Sequence, residues 1–437
     1  MTFLRKWLAA LLCVLLCMGA GLACAQEESG LPLAQAVLHE MIAGEYAAVV
    51  SRFDDTMAAA LDEAGLADAW NSITALLGEV TGVRAMQEDA ASRSVVLLLE
   101  HERGSAAFTL VMDEANRIAG MSIAPQSMTQ PAPERTLAQG VRAVEVTLFE
   151  DSARALRGEL LIPAQAGDDT PYVVMAHGSG PSDMDATIGA NKPFRDLSYD
   201  LAALGVGSLR FDKITYAHPE YPVETIDQEY LEPVGEALRV LRQETGARRV
   251  YLLGHSEGGM ITPYLVNVCG FDGGISMAGT PMELWEISYA QNLALLQLMP
   301  EAGTQAVYAQ LETECAKGER LAQMTDEEAA QTTVFGMGGV YLRHMARMDQ
   351  AQMVLESRKP FLFLWGEKDV QVSEAAFEAW RDRLGAGYTY IRYPALNHLF
   401  VPAAQGETIA NVQTAYLTPG SVDAQVAADI AAWLKDN

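Results

Sequence analysis

The pattern of apolar and polar positions changes near residue 141 and divides the chain into two regions. The first region has apolar residues at helical intervals, followed by short runs typical of strands. The helical segments are 33–53, 56–66 and 70–77, and the strand-like runs are 95–101, 106–112 and 118–123. These segments predict a small α+β domain over residues 26–125. Polar residues around Pro131 and Pro133 predict a linker over 126–140.

From residue 141 onwards, strand-like runs alternate with helical segments, which is typical of a mostly parallel sheet covered by helices. Two alternating runs at 144–149 and 156–162 predict an antiparallel entry into this sheet. The later strands are predicted at 172–175, 207–211, 250–253, 274–277, 361–365 and 388–393. Helices are predicted at 193–204, 231–244, 260–268, 373–384 and 423–435. The pattern therefore predicts an α/β domain over residues 141–437.

The alternation is interrupted between about residues 279 and 356, a segment called the insert below. The insert is helical in pattern, acidic and rich in Leu and Met, and it occurs where a cap over the strand ends would lie. Its large apolar residues fit ordinary core packing slightly better than a substrate pocket, which stays an alternative. They are Trp285, Tyr289, Leu293, Leu296, Met299, Tyr308, Met337 and Met345.

Composition supports a globular chain and excludes some partners. Half of the 437 residues are hydrophobic and 20% are charged, which is enough apolar material for large cores. The formal net charge of −27 opposes binding to nucleic acid or to anionic membranes, and the sequence has no basic patch.

The first 25 residues have the pattern of an export signal. Arg5 and Lys6 precede an apolar run over 8–22, and Ala23-Cys24-Ala25 forms a cleavage site of small residues. We therefore expect cleavage after Ala25 and an extracellular or cell-envelope location. The alternative is a lipid anchor on Cys24, although the residues before it fit a lipobox poorly.

The cysteines indicate neither a metal site nor a fixed disulfide. Three of the five, Cys13, Cys17 and Cys24, lie in the predicted leader. Cys269 and Cys315 either pair outside the cell or remain free thiols. The sequence has no CxxC, HExxH or His/Cys cluster, so we predict no metal and no cofactor.

The segment Gly254-His255-Ser256-Glu257-Gly258 has the G-x-S-x-G pattern of a nucleophile elbow. An apolar strand precedes it and a helical segment follows, which is the context the pattern requires. The two glycines allow strand and helix to pass closely, and the turn exposes the hydroxyl of Ser256. We therefore predict Ser256 as a nucleophile, while His255 packs around it.

A serine nucleophile needs a base and an acid that orients the base. His398 follows the last strand of the predicted sheet, at the edge where parallel α/β sheets gather catalytic groups. The preceding strand ends in Gly366-Glu367-Lys368-Asp369. We predict His398 as the base and Asp369 as the acid, with Glu367 as the fallback.

Backbone donors for an oxyanion are predicted after an earlier strand, in His177-Gly178-Ser179-Gly180-Pro181. We expect the N–H groups of Ser179 and Glu257 to bind the oxyanion, with Gly178 needed for the turn. The side chains of Ser179 and Glu257 need no role. Of two further sets of charged residues, the first continues this loop towards the pocket but fits solvated loop acids better, and the second could brace the site but fits a local ion pair better. They are Asp183 with Asp185, and Asp212 with Lys213.

In order, the motifs His-Gly-Ser-Gly-Pro-Ser-Asp, Arg-Phe-Asp-Lys, Gly-His-Ser-Glu-Gly-Gly, Gly-Glu-Lys-Asp and Leu-Asn-His resemble the α/β-hydrolase superfamily. They are most similar to its bacterial carboxylesterase and serine-aminopeptidase-like branch. The resemblance implies nucleophile Ser256, acid Asp369, base His398 and no cofactor. Ile214 departs from the pattern, since similar proteins tend to carry Arg there. The first domain resembles a small α+β domain of unknown function that precedes some such hydrolases.

The expected reaction is hydrolysis of small carboxylic esters with short to medium acyl chains. One alternative is a serine aminopeptidase or amidase of the same mechanism, acting on short peptides. In that case an acid such as Glu283, Glu286 or Glu301 would hold the substrate's amino group. A second alternative is a binding protein that keeps the hydrolase fold without its activity.

Overall fold

The computed structural model describes residues 30–89, 93–128, 132–298 and 304–437. The predicted leader, residues 1–25, lies outside the described residues, as do Met299 and Glu301 of the insert. Among the described residues, no helix has the length and apolar character that crossing a membrane requires.

The N-terminal region packs helices on a four-stranded antiparallel sheet. The helices are α1 (Leu31–Ala43), α2 (Tyr46–Val50), α3 (Asp55–Ala60) and α4 (Glu63–Leu77). The strands, in sheet order, are β1 (Val80–Asp89), β2 (Ser94–His101), β3 (Gly104–Met112) and β4 (Ile118–Met128). Val95, Leu97 and Phe108 face a core that Trp70 also joins. The predicted α+β character is thus observed.

Several features of this region differ from the sequence expectation. The predicted helices over 56–66 and 70–77 are observed instead as α3 and the longer α4, which begins at Glu63. The predicted helix over 33–53 is split, because Gly44 adopts a left-handed φ of 75° that ends α1. Strand β1 was not predicted, since its apolar residues do not form a buried face. Strand β4 continues to Met128, which is three residues into the stretch predicted as a linker.

The second region is built on an eight-stranded sheet with the order β14-β13-β10-β9-β7-β8-β6-β5. Its strands are β5 (Arg142–Leu148), β6 (Leu156–Ile162), β7 (Pro171–Ala176), β8 (Gly207–Phe211), β9 (Arg249–His255), β10 (Gly274–Met277), β13 (Phe361–Gly366) and β14 (Thr389–Tyr393). The pairs β5–β6 and β6–β8 are antiparallel. The remaining neighbours are parallel, as the sequence predicted.

Both faces of the central strands are buried, in two separate cores. Val250 and Leu252 of β9 belong to one core, whereas Tyr251 and Leu253 belong to the other. This division by alternate residues explains why the central strands read as continuous apolar runs.

Helices cover the two faces of the sheet, and their bounds follow the predicted segments closely. On one face lie α7 (Glu232–Thr245), α8 (Glu257–Cys269) and α14 (Glu374–Leu384). On the other lie α5 (Pro193–Ala203) and α16 (Ala424–Asp436). The short helix α6 (Ile214–Ala217), a π-helix (Asp227–Leu231) and α15 (Val412–Ala415) lie in the connections.

The insert is mainly helical, as predicted. It contains α9 (Leu284–Gln297), α10 (Thr304–Gly318), α11 (Asp326–Ala330), α12 (Gly339–Ala346) and α13 (Gln350–Ser357). A small hairpin joins β11 (Thr333–Val334) to β12 (Met337–Gly338). Trp285 packs with Leu321 and Leu342 in a local core, and Met345 belongs to the core of the sheet. For these residues, core packing is therefore observed.

Cys269 and Cys315 are both free thiols. Burial raises the pKa of the Cys269 thiol to about 11. The disulfide alternative is therefore not observed in this structure.

Candidate active site

Ser256 lies on the strained turn between β9 and α8. Its φ of 55° and ψ of −119° are unusual for a residue with a side chain. The turn is possible because glycines occupy the positions at which neighbouring backbone segments come too close for a side chain. A Cβ on Gly254 would meet the backbone of Gly258, and a Cβ on Gly258 would meet the carbonyl oxygens of Ala176 and His177. The local geometry is that of a nucleophile elbow.

Asp369 and His398 are brought together at the ends of the neighbouring strands β13 and β14. The Nδ1 of His398 lies 2.6 Å from Oδ2 of Asp369, and the two side chains are 5% and 0% exposed. The other carboxylate oxygen accepts hydrogen bonds from the backbone N–H groups of Gln371 and Val372, at 2.8 and 2.9 Å. This carboxylate can therefore hold the imidazole in one orientation.

Glu367, the fallback acid, lies elsewhere. Its carboxylate forms an ion pair with Arg392 at 3.1 Å, and its side chain is 33% exposed. The structure thus brings Asp369, and not Glu367, to His398.

His255 connects the nucleophile turn to the loop of the base. Its Nε2 lies 2.8 Å from the backbone oxygen of His398, and the two rings are 4.8 Å apart. Burial, with a further effect from His398, lowers the pKa of His255 to about 3. The ring is therefore a neutral donor to that carbonyl group. Among the described residues, the Ser256 hydroxyl makes no hydrogen bond to His398, and such contacts often tighten only when substrate binds.

The loop after β7 approaches Ser256 at Gly178. A Cβ on Gly178 would lie 3.1 Å from the Cβ of Ser256, so close approach explains this glycine. The left-handed φ of the loop, 79°, belongs to Gly180 instead. Gly178 and Ser256 therefore lie close together. The predicted oxyanion donors, the N–H groups of Ser179 and Glu257, belong to the residues that directly follow these two.

The acids of this loop are structural. The Asp183 carboxylate accepts hydrogen bonds from the N–H groups of Asp185 and Thr187. Asp185 pairs with Lys192 at 2.7 Å and with Arg210 at 3.1 Å. Asp183 is therefore bound within the loop and Asp185 to Lys192 and to strand β8, so neither is a free solvated acid.

A buried polar network surrounds the elbow, and of its members the sequence indicated only Lys213, as a residue that could brace the site. Lys213, which is 1% exposed, forms an ion pair with Glu229 at 2.7 Å. The Glu257 carboxylate accepts hydrogen bonds from the hydroxyls of Tyr230 at 3.1 Å and Tyr341 at 2.8 Å. The Glu257 side chain, for which the sequence predicted no part in binding the oxyanion, is thus held by two hydroxyl groups.

Asp212 and Lys213 each form an ion pair, but with other residues and not with each other. Asp212 accepts a 2.8 Å hydrogen bond from the N–H of Met184 and lies 3.4 Å from Arg157. The two neighbours therefore stabilise different parts of the structure. Their position directly after β8 indicates that they lie near the site. Their partners could not be predicted, because they are distant in sequence.

Comparison with known proteins identifies the family of each region. Residues 173–412 match a family model described as the alpha/beta hydrolase family. Residues 34–121 match a model described as a protein of unknown function (DUF3887), in the region of the small N-terminal domain. The chain is 28% identical over 387 residues to esterase EstD of Thermotoga maritima, which covers 86% of this chain and 88% of EstD.

Solved structures with a related fold include Est1E from Butyrivibrio proteoclasticus, at 16% identity and a TM-score of 0.39. That match covers 62% of this chain and 96% of Est1E. The Pyrococcus furiosus esterase Pf2001 matches at 12% identity and a TM-score of 0.40, over 70% of this chain and 98% of its own. Likenesses at this level carry no argument about activity.

The predicted resemblance and the predicted α/β fold with its small N-terminal domain are confirmed. The match over 173–412 spans more than half of the sequence, and the chain belongs to the alpha/beta hydrolase family.

Proposed function

We propose that this protein is a carboxylic ester hydrolase that uses Ser256 as nucleophile, His398 as base and Asp369 as the acid that orients it. The observation that carries the proposal is the buried 2.6 Å contact between His398 and Asp369, beside an elbow that exposes Ser256. Membership of the hydrolase family and the similarity to an esterase support the same reaction.

The proposed reaction proceeds through an acyl-enzyme. The Ser256 oxygen attacks the ester carbonyl carbon while its proton passes to Nε2 of His398. The carbonyl oxygen becomes an oxyanion, which the N–H groups of Ser179 and Glu257 bind. The intermediate then expels the alcohol, which takes the proton from His398. Water repeats these steps on the acyl group, releases the acid and restores Ser256.

The peptidase alternative has less support. Of its candidate acids, Glu283 accepts a 2.5 Å hydrogen bond from Trp285, and Glu286 accepts one at 2.7 Å from the N–H of Glu283. Both carboxylates are therefore bound within the insert. Burial also raises the pKa of Glu283, which weakens its use as an anion for an amino group.

Labelling with a fluorophosphonate tests the proposed nucleophile. We expect the wild-type protein to be labelled on Ser256, and Ser256→Ala to lose the label and about 10⁴- to 10⁶-fold of its turnover. Ser72→Ala in α4, whose hydroxyl donates to the Asp68 carbonyl at 2.7 Å, is the control. A folded wild-type protein that takes no label would favour the binding-protein alternative.

The substrate class is tested with p-nitrophenyl esters from acetate to palmitate and with aminoacyl arylamides. We propose short to medium acyl chains, so activity should peak before the long-chain esters. A higher kcat/KM for the arylamides than for every ester would contradict the esterase proposal and support the aminopeptidase or amidase alternative.

We also propose export through the leader, with cleavage after Ala25. The motivating pattern is the basic start, apolar run and small-residue end of residues 1–25. N-terminal sequencing of the mature protein from a secreting host should begin at Gln26. A lipid-modified N-terminus at Cys24 would support the anchored alternative instead.

A further inference from the structure

We propose that Lys213, Tyr230 and Tyr341 are positioning residues that fix the two backbone donors of the oxyanion hole. The proposal rests on the proposed function and deepens it, since it concerns groups that do not touch the substrate. It assigns the buried polar network a role in binding the transition state rather than the substrate.

Lys213 has a partner for each hydrogen of its ammonium group. Its Nζ lies 2.8 Å from the carbonyl oxygen of Gly178, 2.7 Å from the hydroxyl of Tyr230 and 2.7 Å from Oε1 of Glu229. The side chain is 2% exposed, so water does not compete for these hydrogens. The ammonium group is therefore held in one place.

The contact with Gly178 acts on the first donor. The carbonyl of Gly178 and the N–H of Ser179 belong to one planar peptide group and point in opposite directions. When Lys213 fixes the carbonyl oxygen, it also fixes the direction of that N–H. A cation at the oxygen polarises the peptide group and makes its N–H a stronger donor. The hydroxyl of Tyr230 lies 3.0 Å from the same oxygen and 3.1 Å from Glu257, so its single hydrogen is shared between these two acceptors.

The contacts with Glu257 act on the second donor. Its N–H is the first of helix α8, directly after Ser256. Its side chain is 3% exposed, and its two oxygens accept from Tyr230 at 3.1 Å and from Tyr341 at 2.8 Å. Two bonds to rigid phenols restrict the carboxylate, and through it the backbone of the residue.

The two tyrosines are suited to this task as permanent donors. Burial, together with the charges of Glu257 and Glu229, raises the pKa of both well above 10. Tyr341 also lies 2.6 Å from Oε2 of Glu229, which joins its end of the network to the Lys213 ion pair. Glu229 and Tyr230 both face inward from a π-helix, a distortion often found at functional sites.

A purely structural role is the competing explanation. Buried ion pairs are weak contributors to stability, because desolvation offsets most of their attraction. A brace for the fold alone would also have no reason to end on the Gly178 carbonyl and on Glu257, since the Gly178–Ser179 peptide and Glu257 carry the two proposed oxyanion donors. The two roles differ in what a substitution should change.

The test compares Lys213→Met with Lys317→Met, which also removes an ion-paired lysine, 2.6 Å from Glu314 in the insert. We expect Lys213→Met to lower kcat about a hundredfold, as loss of an oxyanion donor does, with KM changed less than about threefold. Affinity for a trifluoromethyl ketone, which Ser256 converts into a tetrahedral oxyanion, should fall by the same factor as kcat/KM. Lys317→Met should leave both unchanged.

Tyr341→Phe and Tyr230→Phe each remove one hydroxyl, and about a tenfold loss of kcat is expected for each. Tyr264→Phe is the matched control, because its hydroxyl also donates to a carboxylate, that of Asp227 at 2.6 Å. If Lys213→Met does not fold, the same measurements are made on the double variant Lys213→Met/Glu229→Gln, which removes both charges of the buried ion pair. Folded variants with unchanged kcat, or with unchanged ketone affinity, would overturn the proposal.

Failure of the proposed function gives a different result. In that case the wild-type protein takes no fluorophosphonate on Ser256, whatever the variants of Lys213 do. Normal labelling of wild type with unaffected Lys213→Met turnover overturns only the positioning role.

Discussion

The ring of His255 donates a 2.8 Å hydrogen bond to the backbone carbonyl of His398. The residue before the proposed nucleophile therefore holds the loop that carries the proposed base. Since β9 and β14 are not neighbours in the sheet, this bond is a direct connection between the segments that carry the proposed nucleophile and the proposed base.

Replacing His255 by Phe should reduce both stability and turnover. The buried carbonyl of His398 would lose its donor, at a cost of about 1–3 kcal/mol in the free energy of unfolding. Displacement of the imidazole should lower kcat at least about tenfold. His101→Phe is the control, because His101 makes a similar 2.8 Å bond to the carbonyl of Gly78 in the N-terminal domain. Equal kcat values for the two variants in an ester assay would show that the bond has no role in positioning.

Exchanging the acid should separate Asp369 from Glu367. Asp369→Asn keeps the shape of the side chain but removes the charge that orients His398, so kcat should fall about 10⁴-fold. Glu367→Gln weakens only a partly exposed ion pair and should stay within about threefold of wild type. The measurement is kcat on one ester for both variants. A larger loss of kcat in Glu367→Gln than in Asp369→Asn would show that Glu367, and not Asp369, is the acid that orients His398.

Two buried histidines should make the protein sensitive to acid. Burial, aided by the charges of Lys213 and His398 respectively, lowers the pKa of His177 and His255 from 6.5 to about 3. Between these values the unfolded chain binds protons that the folded chain does not. Stability is therefore complete above about pH 6.5 and falls as the pH drops, by roughly 1.4 kcal/mol per pH unit for each histidine.

Urea denaturation between pH 7 and 4 measures this slope. His177→Phe should reduce the slope of stability against pH by the contribution of one histidine. A phenylalanine ring fits this position, because the rings of Phe194 and Phe211 lie 5.1 and 5.7 Å from that of His177. An unchanged slope in this variant would contradict the assignment.

Gly258 should not tolerate a methyl group. In Gly258→Ala the new Cβ meets the carbonyl oxygens of Ala176 and His177, so strand and helix must separate at the elbow. We expect a loss of roughly 3 kcal/mol in the free energy of unfolding and a slower reaction of Ser256 with fluorophosphonate. Gly387→Ala, with open space around the Cβ, should remain within about 0.5 kcal/mol of wild type. Similar stabilities for both variants would exclude the proposed clash.

Local patterns predicted most of the fold because each pattern reports the environment of its own segment. The apolar run before Gly366 had to be a buried strand, and β13 was found there. The same reasoning missed β1, whose residues Val83 and Met86 are 39% and 47% exposed. Strand β1 joins the sheet through backbone hydrogen bonds to β2. Because it has no buried face, its sequence shows no alternation of apolar and polar residues.

The candidate site was predictable where a residue type and a strand end coincided, as for Ser256, Asp369 and His398. The network around Lys213 was not, because its members are far apart in the chain and only the tertiary structure shows that they meet. A lysine after a strand is usually exposed, and nothing near Lys213 in sequence indicates Tyr341, which arrives from the insert.

Through Tyr341 the insert takes part in the buried polar network beside the proposed nucleophile. Helix α12 supplies a hydroxyl that separates the carboxylates of Glu229 and Glu257. A chimera whose replacement segment lacked this tyrosine would remove the hydroxyl between the two buried acids and leave Glu257 with Tyr230 and Glu229 with Lys213 as partners. Attempts to change the range of accepted esters should therefore vary α9 to α11 and retain residues 339–346.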